Sequence, residues 1–103
     1  MYSFKYVNYK GLYESGMMPR KRFVDKNRKR VRKGPGVYFL FAKGAKKPTY
    51  IGSAKDLNRR LSQHKGQKYH TFQVKHTDST REARALERKL IRRKSPRRNK
   101  VYA

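Results

Sequence analysis

Cysteine and tryptophan are absent from the 103 residues, and acidic residues are scarce, since 6 Asp and Glu stand against 30 Lys and Arg. The lack of cysteine excludes a disulfide framework, a thiolate metal site and a cysteine nucleophile. No run of about 18 apolar residues occurs, which argues against a transmembrane helix. The initial MYSFKYVNYK lacks the apolar stretch of a signal peptide. These absences predict a small cytoplasmic protein with no membrane partner.

Positive charge is what the chain has in abundance, a formal +24 at pH 7. A charge of this density repels itself unless a polyanion binds it, and nucleic acid is the leading partner because each neutralised phosphate releases counterions. The length fits one domain, and the hydrophobic fraction of 35% allows only a small core. Composition alone favours a basic protein that binds nucleic acid without catalysis over an enzyme, so the positions of individual residues must decide.

The Gly34-Pro35-Gly36 triplet predicts a boundary between an N-terminal extension, residues 1–33, and a domain formed by residues 34–103. The extension begins with alternating aromatics, typical of a short strand, and ends in the basic run of residues 20–33. That run is either a solvated tail or loop, or an arm that follows a phosphate backbone and becomes ordered on nucleic acid. On the second interpretation its nucleic-acid-binding residues are Arg20, Lys21, Arg22, Arg28, Lys29 and Arg30.

The domain has a regular pattern of strand and helix signals. β-Branched and aromatic runs predict strands, a Ser53/Asp56 pair predicts the start of one helix, and the capping box Ser79-Thr80-Arg81-Glu82 predicts the start of another. In order, the predicted elements are a strand over 37–41, a strand over 49–52, a helix to about 64, a strand around 71–75 and a helix from 79 to about 93. The fold class is therefore α/β (α+β), a small three-stranded, mainly antiparallel sheet flanked by helices.

Glu87 falls on the apolar side of the last predicted helix. At about 100° per residue, it lies between Ala83 and Ile91 in a stripe that also contains Leu86 and Leu90. A carboxylate on a core-facing seam is costly unless it is paired or coordinates a metal. Two interpretations stay open: an ion pair with one of the many cations, or a hard oxygen ligand for Mg²⁺ or Mn²⁺.

Four further residues have both a structural and a chemical interpretation. Arg60 and His64 share one helix face and are either solvated or phosphate-binding. Tyr38 and Tyr50 lie on the two strands of one hairpin, where an aromatic is usually part of the core. In a strongly positive site, however, a tyrosine hydroxyl could have a lowered pKa and accept a proton from water.

Taken in order, these positions resemble the GIY-YIG nuclease family. Gly36-Val37-Tyr38 and Tyr50-Ile51-Gly52 are similar to the two signatures that name it, and the chain continues through Lys55, Arg59 and Arg60 as members of the family do. Glu87 is similar to the metal-binding glutamate and Asn99 to the asparagine after the last helix. The resemblance covers residues 34–99 and is greatest to the N-terminal nuclease domain of the bacterial excision-repair protein UvrC.

The resemblance implies metal-dependent hydrolysis of DNA phosphodiester bonds by a single active site that nicks one strand at a time. Glu87 would hold Mg²⁺ or Mn²⁺, Arg60 would offset charge on the transition state, and Tyr38 or Tyr50 would orient or deprotonate the attacking water. His64 is a secondary candidate for proton transfer. The supporting residues are Gly36, Gly52 and Asn99, and the nucleic-acid-binding residues of the domain are Lys55 and Arg59. The alternative is a non-catalytic, basic nucleic-acid-binding or ribosome-associated protein.

Two positions depart from the UvrC-type pattern. Ser53 stands where those domains usually have lysine, and His64 where they tend to have tyrosine, while homing endonucleases of the family resemble this chain at both positions. The expected partner is DNA, with branched and damaged duplexes as candidate substrates, and the expected state is a monomer or a weak dimer. No base-reading module is recognisable, so the sequence does not indicate whether the substrate is damaged, branched or sequence-specific DNA.

Overall fold

The computed structural model describes residues 19–64 and 66–94. Its elements in chain order are β1 (Lys21–Arg22), α1 (Asp25–Lys29), β2 (Gly36–Phe41), β3 (Tyr50–Ala54), α2 (Leu57–Gln63), β4 (Thr71–His76) and α3 (Thr80–Lys94). The strands form one antiparallel sheet in the order β1-β4-β2-β3. The predicted mixed α and β fold is confirmed, with a fourth strand, β1, added to the three that the sequence predicts.

The central strand β2 divides the core into two clusters because its side chains alternate between the faces of the sheet. Val37, Phe39 and Phe41 pack with Ala83, Leu90 and Ile91 of α3 on one face. Tyr38 and Leu40 pack on the other face with residues of α2, of β4 and of the segment between β1 and β2, namely Phe23, Val31, Leu57, Leu61, Phe72 and Val74. All six residues of β2 are buried, as expected for a strand covered on both sides.

Local signals position the two long helices. Asp56 caps α2, since its Oδ1 accepts a hydrogen bond from the backbone N–H of Arg59 at 3.3 Å. The Ser79 Oγ accepts from the backbone N–H of Glu82 at 3.1 Å, so the predicted box begins α3. Ser53, predicted together with Asp56 as a helix start, instead lies in β3, where its hydroxyl has a different partner.

The described part of the basic run, residues 20–33, packs against the sheet. β1 pairs with β4, and the backbone N–H of Phe23 donates to the carbonyl of His70 at 2.8 Å. The side chains of Phe23 and Val31 are buried in the core. The run is thus neither a free tail nor a detached arm in this structure, while the division of the chain at residue 33 stays a prediction. The aromatic pattern near the N-terminus and Asn99 lie outside the described residues.

Within the described ranges, no helix is both long and apolar enough to cross a membrane.

Candidate active site

Tyr38 lies at the centre of the site because β3 leaves room for its ring. Tyr38 on β2 and Gly52 on β3 are cross-strand partners. A Cβ atom at residue 52 would come within 2.4 Å of both the Tyr38 Cζ and hydroxyl. Residue 52 must therefore be glycine, because the Tyr38 ring comes too close for any side chain there. The phenol lies across Gly52 and is only 1% exposed. The second signature glycine, Gly36, has a similar reason, since a Cβ there would be 2.4 Å from the Lys75 carbonyl oxygen.

A chain of hydrogen bonds runs through the Tyr38 hydroxyl. The Arg60 Nε donates to the Tyr38 oxygen at 3.1 Å, and that oxygen lies 3.0 Å from the His64 Nε2. The His64 Nδ1 lies 3.0 Å from the Gln67 Oε1. An amide oxygen can only accept, so the Nδ1 carries the proton, and the Nε2 of neutral His64 accepts the Tyr38 O–H. Tyr38, Arg60 and His64, three of the predicted catalytic residues, are thus brought together.

Burial sets the protonation states in this chain. It raises the pKa of Tyr38 far above its ordinary value, an effect that the hydrogen bond from Arg60 only partly opposes. The predicted lowering of a tyrosine pKa is therefore wrong for Tyr38, because removal from water outweighs the positive charge. Burial likewise lowers the pKa of His64, with the Arg60 charge contributing in the same direction, so the imidazole is held neutral. The hydrogen bond to Tyr38 raises the pKa of Arg60, which stays cationic.

Tyr50 is the outer neighbour of this group. Its ring centroid lies 6.0 Å from that of Tyr38 and 5.6 Å from that of His64. Unlike Tyr38 it is only half-buried, and β3, which carries it, lies at one edge of the sheet. Tyr50 is therefore the more solvent-accessible of the two signature tyrosines.

Glu87 lies on the other side of β3. The Ser53 hydroxyl on that strand donates to the Glu87 Oε1 at 2.5 Å. Ser53 is the cross-strand partner of Val37, which belongs to the α3 side of the sheet, whereas Tyr38 belongs to the α2 side. The sheet edge formed by β3 is thus flanked by the carboxylate on one face and by the Tyr38–Arg60–His64 group on the other.

The donor set around Glu87 fits a magnesium ion with an incomplete protein shell. Glu87 is half-buried, and the neutral Ser53 hydroxyl does not compensate the charge of its carboxylate, as a divalent cation would. Among residues 19–64 and 66–94 there is no group of three or more His, Cys, Asp or Glu that could surround a metal. Mg²⁺ suits such a site, because it commonly binds one or two carboxylates and completes its octahedron with water and phosphate oxygens.

The predicted nucleic-acid-binding residues separate into two groups. Lys55 is exposed between β3 and α2, and Arg59 is exposed in the first turn of α2. Lys21, Arg22, Lys29 and Arg30 are exposed on the basic run, residues 20–33. Arg28, by contrast, is only 7% exposed and donates to the Phe23 carbonyl at 2.8 Å. Arg20 lies over the Phe41 ring, 3.7 Å from its centroid, and donates to the Thr71 hydroxyl at 2.9 Å. The last two arginines hold the segment in place.

The sequence did not predict the structural roles of three residues in and around the site. Gln67 fixes the tautomer of His64, Ser53 holds the Glu87 carboxylate, and Asn58 connects α2 to the basic segment. The sequence marked Ser53 as unusual, because this serine stands where UvrC-type domains usually have lysine. Gln67 and Asn58 had none, because a polar residue at an exposed-looking position has no pattern that marks its partner.

Comparisons with known proteins agree with this fold. Two crystal structures of the GIY-YIG N-terminal endonuclease domain of UvrC from Thermotoga maritima are similar to the chain, both with their catalytic divalent cation bound. The first, with magnesium, has a TM-score of 0.63 and 31% identity over 72% of this chain and 92% of that one. The second, a point mutant with alanine for asparagine, has a TM-score of 0.62 and 31% identity over 76% and 91%.

No curated protein sequence matches the chain closely enough to count as a relative. The sequence model described as the GIY-YIG catalytic domain matches residues 34–101, which include both signature tripeptides and Glu87. The chain therefore belongs to the GIY-YIG family and carries a catalytic domain of its endonuclease type.

Proposed function

We propose that this protein is a metal-dependent endonuclease that hydrolyses phosphodiester bonds in DNA, with one active site that nicks one strand at a time. The observation that carries the proposal is the hydrogen-bonded chain Arg60–Tyr38–His64, in which a buried hydroxyl connects a fixed cation to a neutral base. A protein that only bound phosphates would gain nothing from removing the Tyr38 hydroxyl and the His64 imidazole from water.

The proton pathway follows from the protonation states. The raised pKa of Tyr38 disfavours a free phenolate, so Tyr38 acts as a relay: as its oxygen takes a proton from the attacking water, its own proton passes to the His64 Nε2. His64, held neutral by burial, is the final acceptor, and its Nδ1–H stays on Gln67. Tyr50, half-buried at the edge strand, is the residue that orients the water.

Charge on the phosphate is offset from both sides of β3. Arg60 is held by Tyr38 with its guanidinium exposed to an incoming phosphate, where it stabilises the charge of the transition state. Glu87, held by Ser53, is the metal ligand, and the magnesium bound in the similar UvrC domain supports Mg²⁺ as the cofactor. When bound, the ion supplies Lewis-acid polarisation of the phosphate and stabilises the leaving oxygen. Mn²⁺ is an alternative cofactor, and Asn99 is proposed as a supporting residue.

Conversion of supercoiled plasmid to open circles in Mg²⁺ tests the proposal, with Glu87→Gln as the inactive variant. We expect Glu87→Gln to lower the rate by at least ~10³-fold, because a lost metal ligand removes several kcal/mol of transition-state stabilisation. Glu82→Gln is the matched control on the same helix, since Glu82 serves the helix start and should keep the rate within about twofold.

Tight DNA binding without cleavage by the unmodified protein, in Mg²⁺ and in Mn²⁺, would instead support the alternative of a non-catalytic nucleic-acid-binding or ribosome-associated protein. Cleavage mapping on plain, branched and lesion-containing duplexes then identifies the substrate.

A further inference from the structure

The segment before the nuclease domain carries a dense patch of exposed positive charge. Seven Lys and Arg between residues 20 and 33 are exposed, and we call them the basic platform: Lys21, Arg22, Lys26, Lys29, Arg30, Arg32 and Lys33. The single acid of this segment, Asp25, pairs with the buried Arg28. The platform lies outside residues 34–101, the part of the chain that matches the family.

The segment that carries the basic platform, residues 20–33, is fixed to the domain by its buried residues. Phe23 packs edge-on against Phe72 of the sheet, with ring centroids 5.7 Å apart, and Val31 is buried in the same cluster. The Arg28 guanidinium lies over the Phe23 ring, 4.6 Å from its centroid. At the end of the segment, the His76 Nε2 donates to the carbonyl of Arg32 at 2.9 Å. A segment with these contacts presents its charges from a defined position.

Asn58 connects the segment that carries the basic platform to α2, the helix that contains Arg60. Its Nδ2 donates to the carbonyl of Val31 at 2.8 Å and lies 3.4 Å from the carbonyls of Arg28 and Lys29, at the end of α1. Helix ends leave such carbonyls without helical partners, so one amide here satisfies several acceptors. Asn58 precedes the catalytic Arg60 by two residues on α2. The position of the platform relative to Arg60 is thus set through one short, rigid piece of chain.

We propose that the basic platform is a preformed surface for the sugar–phosphate backbone of duplex DNA beside the cleaved bond, held in position relative to Arg60 by Asn58. This inference rests on the proposed function, because it assumes that DNA reaches Arg60. Its basis is charge complementarity: seven exposed cations on one anchored segment match an evenly charged polyanion. Backbone contacts of this kind position a duplex without reading its sequence.

The first experiment compares two triple variants that remove equal charge. Lys26→Gln/Lys29→Gln/Arg30→Gln alters the platform, and Lys43→Gln/Lys46→Gln/Lys47→Gln alters three exposed lysines of the β2–β3 turn. Binding of a short DNA duplex is measured in EDTA over a range of salt concentrations. We expect the platform variant to lose at least ~10-fold in affinity at 0.1 M salt and to reduce the salt slope by about 2 to 3. The turn variant should lose less than about threefold. Equal losses in both would overturn the proposal, since they would reflect only net charge.

The second experiment tests Asn58 as a positioning residue. Asn58→Ala should weaken duplex binding about 3- to 10-fold in the unmodified protein and by a smaller factor in the platform triple variant, because three of the seven platform charges through which it acts are already removed. Ser62→Ala is the control on the same helix. An equal loss in both backgrounds would show that Asn58 contributes only to general stability and would overturn its assigned role.

Binding in EDTA is independent of cleavage, so the two proposals fail separately. Loss of the platform effect with cleavage intact would refute only this inference. Absence of cleavage together with platform-dependent binding would refute only the nuclease.

Discussion

The two faces of the sheet contain different kinds of chemistry. On the α2 face, Tyr38 and His64 are removed from water and joined in one hydrogen-bonded chain to Arg60. On the α3 face, Glu87 is half-buried and held by one serine hydroxyl. Burial suits proton transfer, because it fixes which group is neutral, while a metal ligand must stay accessible to water and phosphate. The separation lets one small sheet provide both environments.

The strongest test of the buried face is Tyr38→Phe, which removes the hydroxyl and keeps the ring across Gly52. We expect a loss of about 10²- to 10⁴-fold in cleavage rate, the usual range for a general acid–base group. Tyr50→Phe, which leaves the relay to His64 intact, should lose about tenfold or less. Single-turnover plasmid nicking measures both. An effect of Tyr50→Phe that exceeds that of Tyr38→Phe would assign the relay to Tyr50.

The pH dependence of the cleavage rate tests the α2 face of the sheet, where His64 lies. His64 accepts a proton only when neutral, and burial lowers its pKa below 6.5. Cleavage should therefore rise about tenfold per pH unit below the His64 pKa and level off above it. The unfolded chain binds a proton more readily than folded His64, so the stability contribution is present above pH 6.5 and is lost as pH falls through the folded-state pKa. A rate that stays flat as the pH falls to the onset of acid unfolding would remove His64 from the pathway.

The sequence predicted those structural elements that are determined by residues close to one another in the chain. Ser79 caps α3 where the capping box predicted it, and the helical period alone located Glu87 beside the core. The cap of α2 is Asp56 rather than Ser53, so that helix begins later than the sequence predicted. β1 was missed because Lys21 and Arg22 have no strand preference and pair only through the distant β4. The predicted direction of the shift in the Tyr38 pKa was wrong for a related reason. The net charge can be counted from the composition, whereas the loss of water around one hydroxyl depends on which residues surround it in the fold.

Gly52→Ala tests the fit between the strands. The new methyl group would meet the Tyr38 ring, so the phenol must move away from His64. We expect a loss of about 1 to 3 kcal/mol in the free energy of unfolding, typical of overpacking, and about a tenfold loss in rate. Gly66→Ala is the control, because no atom lies within 4 Å of its added Cβ. Chemical denaturation and nicking assays measure the two effects. Equal stability of both variants would contradict the close approach.

The smallest effect is expected on the accessible face. Ser53→Ala removes the hydrogen bond to Glu87 and should raise the Mg²⁺ concentration for half-maximal cleavage about 3- to 10-fold, because the carboxylate loses its fixed orientation. Ser53→Thr, which keeps the hydroxyl, is the control. A change in maximal rate at saturating Mg²⁺ with no change in the metal requirement would show that Ser53 acts on substrate rather than on the ligand.

The contact between residues 38 and 52 also constrains how such a chain can vary. Because the phenol occupies the space where a side chain at 52 would begin, a larger residue at 52 requires a smaller one at 38, which would then lack the hydroxyl. The intermediate in any such pair of changes is a poorly packed, slow enzyme. The tyrosine and the glycine therefore form one structural unit, although they lie in two separate parts of the sequence.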